Sequence, residues 1–162
     1  MPNLTLDTFD RRILAELQLD ARITNISLAD KVGLSPTPCL RRTKRLEEAG
    51  VIVGYRVDLD RKALGLGFTV FAGVKVSRHN DSEANEFIAA ACAWPEVVSC
   101  QLLSGDVDFL LEVVVEDLEA YQSFLFDRLL KHPHVQDVRS NFAIKIFKSN
   151  GSLPINENIG SA

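Results

Sequence analysis

Between Asp7 and Asp20 the apolar residues Phe9, Ile13, Leu14 and Leu17 recur three and four positions apart, which predicts an amphipathic helix. A second short helix is expected from Ser27, with Ser27 as its cap and Leu28, Ala29 and Val32 on one side. Gly33 stands where the chain must leave that helix, in a left-handed conformation that glycine tolerates. Ser35 is the next cap and Pro36 takes the first turn of a third helix, where no N–H is missed. Cys39, Thr43 and Leu46 then point inward, and Ala29 lets the two helices cross closely. This small–glycine–apolar spacing predicts a helix-turn-helix. Val51–Asp58 reads as a strand bent at Gly54, a small wing, and residues 59–67 as a linker.

The rest of the chain repeats one plan twice. Phe68–Val76 is a strand, and Asp81–Ala93 a helix with Ala84, Phe87, Ile88 and Ala91 on one face. Val97–Leu103 and Phe109–Val115 are strands, Leu118–Leu130 a helix, and Val135–Phe147 a long last strand. Strand–helix–strand–strand–helix–strand is the ferredoxin-like order, so the fold class is α+β. The expected domains are 1–58, 68–148 and a tail at 149–162, anchored by Leu153, Ile155 and Ile159 and either flexible or docked on a partner. With both helices on one side, the sheet's other face needs cover, which predicts self-association.

Composition narrows the class. The 162 residues are 46% hydrophobic and 25% charged, ordinary for a globular protein, with net charge −4. Residues 1–62 hold 11 Lys and Arg against 9 Asp and Glu; residues 63–162 hold 7 against 13. A basic head on an acidic body predicts that one end meets a polyanion. Met1–Asp20 has no apolar core of signal-peptide length, and no run reaches the roughly 18 apolar residues of a membrane span. Cys39, Cys92 and Cys100 form no motif, and pairing among them is not expected; they read as reduced thiols in a cytoplasmic protein. His132-Pro-His134 lacks companion ligands at metal-binding spacing and reads as a loop entering the last strand; His79 stands alone. No nucleophile–base–orienter set and no phosphate-cradling glycine loop occur, so neither an enzyme nor a cofactor is expected.

Two segments carry candidate chemistry. Arg41, Arg42, Lys44 and Arg45 put four cations in five residues of a capped helix, suited to the DNA major groove. Ser35 and Thr37 can donate to phosphate at the helix start; Arg41 and Lys44 are candidates for base edges, Arg42 and Arg45 for the backbone. The plainer account is a solvated face with Glu47 and Glu48 as helical partners. The turn Ser104-Gly105-Asp106-Val107-Asp108 joins two strands. Its free N–H groups suit a carboxylate and its aspartate an ammonium; otherwise it is a hairpin turn with Asp-capped bonding.

Leu34-Ser-Pro-Thr-Pro-Cys39 ahead of the basic run, Arg45-Leu-Glu-x-x-Gly-Val-Ile52 and Leu103-Ser-Gly-Asp-x-Asp-Phe-Leu-Leu111 together resemble the Lrp/AsnC, or feast/famine, transcription regulators, most closely the leucine-responsive branch. The resemblance runs through nearly the whole chain, from Leu6-Asp-x-x-Asp-Arg onward. It implies a winged helix-turn-helix reader of double-stranded DNA joined to an amino-acid-binding domain. It also implies homodimers that assemble further, commonly to octamers, with effectors bound between subunits. By this resemblance Ser104, Gly105, Asp106 and Asp108 are carried over as effector contacts, with Ser140 on the last strand as a further candidate. An apolar effector of leucine or methionine type is expected. The rivals are an architectural DNA-wrapping protein without an effector and a small ferredoxin-like enzyme.

Overall fold

The computed structural model describes residues 5–77 and 81–155. His79 and Ile159, singled out in the sequence, lie outside them. The chain divides into two compact units, one running to Asp58 and resuming at Lys148, the other spanning Leu59–Phe147.

The first unit is a trihelical reader. Helix α1 (Thr8–Leu19) starts in a capping box: Asp7 accepts from the Asp10 N–H at 2.9 Å and Asp10 accepts from the Asp7 N–H at 3.2 Å. Helix α2 (Asn25–Val32) begins three residues earlier than expected. Its cap is Thr24, whose hydroxyl accepts from the Ser27 N–H at 3.2 Å, so Ser27 sits inside the first turn. Gly33 ends α2 at φ 74°, as the turn requires. Helix α3 (Pro36–Glu48) follows Ser35, whose side chain makes no capping bond; Pro36 fixes the first turn instead. Ile13, Leu28, Ala29, Val32, Cys39 and Leu46 form the buried core of this unit. Leu46 is fully buried, and truncating such a residue to Ala costs about 2–5 kcal/mol.

The expected strand over Val51–Asp58 does not form. The segment is extended, but a strand needs a hydrogen-bonded partner strand, and among the described residues none pairs with it. Val53 is 95% and Val57 79% exposed as a result. Tyr55 is tied back to α3, its hydroxyl donating to Glu47 Oε1 at 2.8 Å. The tail also belongs here. The Gln18 side-chain amide donates to the Leu153 carbonyl at 3.3 Å and accepts from the Leu153 N–H at 2.6 Å, and Asn150 donates to Asp58 at 3.3 Å. Leu153, Pro154 and Ile155 form one wall of an apolar groove of about 630 Å³ against α1 and residues 51–56.

The second unit is the expected ferredoxin-like sheet. Strands β1 (Phe68–Val76), β2 (Val97–Leu102), β3 (Phe109–Val115) and β4 (Val135–Phe142) lie in the order β2-β3-β1-β4, all neighbours antiparallel. Helix α4 (Asp81–Ala93) and helix α5 (Leu118–Phe124), which continues through a wider π turn at Leu125–Leu129, complete the plan. Val70, Ala72, Val74, Leu111 and Val113 are fully buried with Phe87 of α4 and, nearly so, Tyr121 of α5. Period-two alternation puts Thr69, Phe71, Gly73 and Lys75 on the opposite face. Arg61 of the expected linker lies on that face, bonded to Thr69 at 3.2 Å and Glu112 at 2.9 Å, so residues 59–67 are part of this unit.

The last strand is shorter than expected. β4 ends at Phe142, after which only the Ala143 N–H reaches β1, at Thr69 O. β4 leaves the ladder opposite Val70, two residues short of the start of β1 at Phe68, and Ile144 and Phe147 stand exposed.

Candidate functional site

On α3, burial sorts the basic residues. Cys39 and Leu46 face the core, and Thr43 spends its hydroxyl on the Cys39 carbonyl at 3.1 Å. Arg42 and Arg45 converge on α1. Arg42 Nη1 lies 2.6 Å from Asp7 Oδ2 and 2.9 Å from Asp10 Oδ1; Arg45 Nη2 lies 2.5 Å from Asp10 Oδ2. Asp10 is fully buried, and a buried carboxylate must be paired. The hydrogen bonds to Asp7 and Asp10 raise the pKa of Arg42 further. Burial works to raise the Asp7 carboxyl, but the Asp10 N–H and Arg42 outweigh it and hold it below its ordinary value. In the sequence Asp10 stands within the first helix and the Leu6-Asp-x-x-Asp-Arg motif; the signal for its role is the Asp7-x-x-Asp10 spacing of a capping box.

Arg41 and Lys44 are exposed, and among the described residues neither enters an ion pair. Ser35 and Thr37 are exposed at the start of α3. Arg41, Arg42 and Arg45 line a hollow of about 170 Å³, which concentrates positive potential on this side of the helix.

In the second unit, the turn between β2 and β3 folds onto β1. The Asp108 N–H donates to Val74 O at 2.9 Å, and its Oδ2 accepts from the Val76 N–H at 2.9 Å. The Leu103 N–H donates to Asp108 O at 2.8 Å. Val107 lies against Gly73, where a Cβ would stand 3.0 Å from Val107 Cγ1. Gly105 has φ 152° and open space on its Cβ side, so the backbone is approachable there. Ser104 and Asp106 are exposed.

Ser140 is not brought to this turn. It pairs with Ala72 on the helix-covered face, and its hydroxyl is 2.5 Å from that of Tyr121. Its neighbour Arg139 pairs with Gly73 and sits on the turn's side of the sheet, its guanidinium 4.0 Å from Asp106 Oδ2 and 3.6 Å from Asp137 Oδ2. Choosing the even-numbered residues of the last strand passed Arg139 over; its signal was a cation opposite a glycine on the uncovered face. His134 bonds Glu86 at 3.0 Å and shares an edge contact with His132. Among the described residues no group of three or more His, Cys, Asp or Glu could hold a metal. No described helix is long and apolar enough to cross a membrane.

Comparison with known proteins agrees with both halves. Residues 6–53 match the family described as winged helix-turn-helix DNA-binding, and residues 69–153 match the Lrp/AsnC ligand binding domain. The leucine-responsive regulatory protein of Rhizobium meliloti (strain 1021) is 43% identical over 143 residues, covering 88% of this chain and 92% of that protein. The transcriptional regulator AzlB of Bacillus subtilis (strain 168) is 37% identical, covering 95% of this chain and 98% of its own. A transcriptional regulator of Neisseria meningitidis, solved as its complex with L-Met, superposes with a TM-score of 0.90 at 42% identity, over 94% of this chain and 98% of that one. The relatives are regulators, not enzymes. A reader with a basic third helix, joined to a ferredoxin-like ligand domain, places this chain in the Lrp/AsnC family of DNA-binding transcription regulators with an amino-acid-binding domain.

Proposed function

We propose that this regulator reads DNA with Arg41 and Lys44 and responds to a free apolar amino acid bound beside residues 104–108. The observation that carries the DNA side is the division of labour on α3. Arg42 and Arg45 are anchored by a fully buried Asp10 and set the helix's rotation on α1, while Arg41 and Lys44 face outward. Ser35, Thr37 and the free N–H groups of the first turn then take phosphate, and Arg45, half exposed, serves both Asp10 and the backbone. Arg42 acts as a positioning residue rather than a contact.

For the effector, Arg139 and the Gly105–Asp106 backbone suit a carboxylate, and Asp106 suits an ammonium. An α-amino acid presents both charges on one carbon. Asp108 holds the turn in shape through Val76 and contacts the ligand at most through its backbone. The L-Met complex of the Neisseria relative and the leucine-responsive relatives support an apolar side chain. The exposed, unpaired segment at Val53, Tyr55 and Val57 supports association of copies, as dimers that assemble further toward an octamer. Such a regulator works where DNA is, in the cytoplasm.

Fluorescence anisotropy on a specific DNA site and calorimetry with L-Met and L-Leu test this. Arg41→Ala should cost about 1–3 kcal/mol at the specific site. Arg139→Ala should abolish amino-acid binding and leave DNA affinity without effector unchanged. Full affinity in an Arg41→Ala, Lys44→Ala double variant would refute the assignment of the helix face. Absence of amino-acid binding by the unmodified protein would favour an architectural role.

A further inference from the structure

Two of the three cysteines meet. Cys92 lies exposed in the last turn of α4, and Cys100 lies half-buried on β2. Cys100 pairs with Leu111, which is fully buried beneath the helices, so its thiol faces the helix layer. Helix α4 packs on β2, which brings Cys92 into the neighbourhood of Cys100. The third cysteine, Cys39, is fully buried in the reader core. Between Cys92 and Cys100 the chain passes through Trp94, its single tryptophan, whose ring meets Phe87 and Phe124 edge-on. Those contacts tie down the connection between α4 and β2, on either side of which the two cysteines stand.

We propose that Cys92 and Cys100 form an oxidisable dithiol, a modification site at which a hydroperoxide is reduced and α4 becomes cross-linked to the edge strand β2. The exposed Cys92 reacts first. Its thiolate attacks one oxygen of hydrogen peroxide, the O–O bond breaks, and the departing hydroxide takes up a proton as water, leaving Cys92 as a sulfenic acid. The Cys100 sulfur then attacks Cys92 Sγ. The S–S bond forms, the S–O bond breaks, and the leaving hydroxide carries off the Cys100 proton as a second water. Two thiols have supplied two electrons, and the peroxide has become two waters. Burial, reinforced by the neighbouring Cys92, pushes the half-buried Cys100 thiol up, so the exposed Cys92 is the sulfur that meets the peroxide first.

The test uses the full chain with a small excess of hydrogen peroxide, followed by thiol counting under denaturing conditions and peptide mass mapping without reductant. The free thiols should fall from three to one, with Cys39 the survivor, and a Cys92–Cys100 linked peptide should appear two hydrogens lighter than its parts. Trp94 emission should drop with the cross-link, and dithiothreitol should restore both thiols and emission. Cys92→Ser, on the surface, should lose the cross-link and the emission change. Cys100→Ser should leave a sulfenic acid on Cys92 that dimedone traps. The proposal is overturned if Cys92 in the unmodified protein runs on to sulfinic acid without a cross-link, if the disulfide joins two copies, or if all three thiols survive.

Discussion

At the scale of single residues, the reader is organised around one carboxylate. Asp10 is fully sealed from solvent and receives both Arg42 and Arg45. Removing it leaves two cations converging on an apolar gap, so Asp10→Ala should destabilise the reader by about 3 kcal/mol, measured by urea denaturation. Arg42→Ala should also lower stability, yet leave the salt dependence of DNA binding nearly unchanged, whereas Arg41→Ala should flatten it by about one unit of slope. An Arg42→Ala protein of wild-type stability with a flattened slope would reverse these roles. The tyrosines give a pH test. Burial and the bond to Glu47 push the Tyr55 hydroxyl to about 12, and burial also raises Tyr121. The folded state therefore holds these protons more tightly than the unfolded chain. That contribution is fully present below about pH 10, the unfolded value, and for Tyr55 is lost as pH climbs toward about 12. Phenolate absorbance should show neither of the two tyrosines titrating with a midpoint at 10 while the protein stays folded. A transition there would mean that Tyr55 is released from Glu47.

At the scale of elements, the turn at residues 104–108 is set by how closely it can approach β1. Val107 rests on Gly73, so Gly73→Ala forces Val107 outward by a few tenths of an ångström or shifts the turn. The strand should persist, with a loss of about 1–3 kcal/mol for overpacking, and effector affinity should fall in calorimetry while DNA affinity holds. Unaltered effector binding would separate the pocket from this turn. The elements themselves were largely legible in the sequence. Every helix and the four-stranded order of the second unit follow from apolar spacing, because the core is built from contacts that repeat along one element. What failed depends on partners. Val51–Asp58 has strand composition but no pairing strand among the described residues, and β4 stops two residues short of the start of β1, facts that no single segment carries. The cap of α2 moved to Thr24 because two hydroxyls, Thr24 and Ser27, stand within one turn and only geometry chooses between them. The candidate sites were legible as segments but not as atoms. Alternation named Ser140, which faces Tyr121, and passed over Arg139, which faces Asp106.

At the scale of the molecule, the proposed assembly and sensing make one linked prediction. If an amino acid changes the association of copies, then association must change amino-acid affinity by the same factor. Light scattering with and without L-Met, set against calorimetry at several protein concentrations, checks it; concentration-independent affinity alongside ligand-driven assembly would break the linkage. A separate expectation follows from the tail. Deleting the chain from Lys148 strips the Gln18 amide of both its Leu153 partners, at about 0.5–1.5 kcal/mol for each bond, and should lower the reader's melting temperature while leaving the sheet's unchanged. The same feature bears on how the protein is made. The reader's three helices emerge from a ribosome ahead of the second unit, but the segment that Gln18 clamps emerges only after the entire second unit has been translated. Until then a nascent chain displays α1 with an open apolar groove. The reader should thus reach its final stability only once residues 148–155 are released from the exit tunnel, which delays a fully formed reader until the amino-acid-binding domain has already been made.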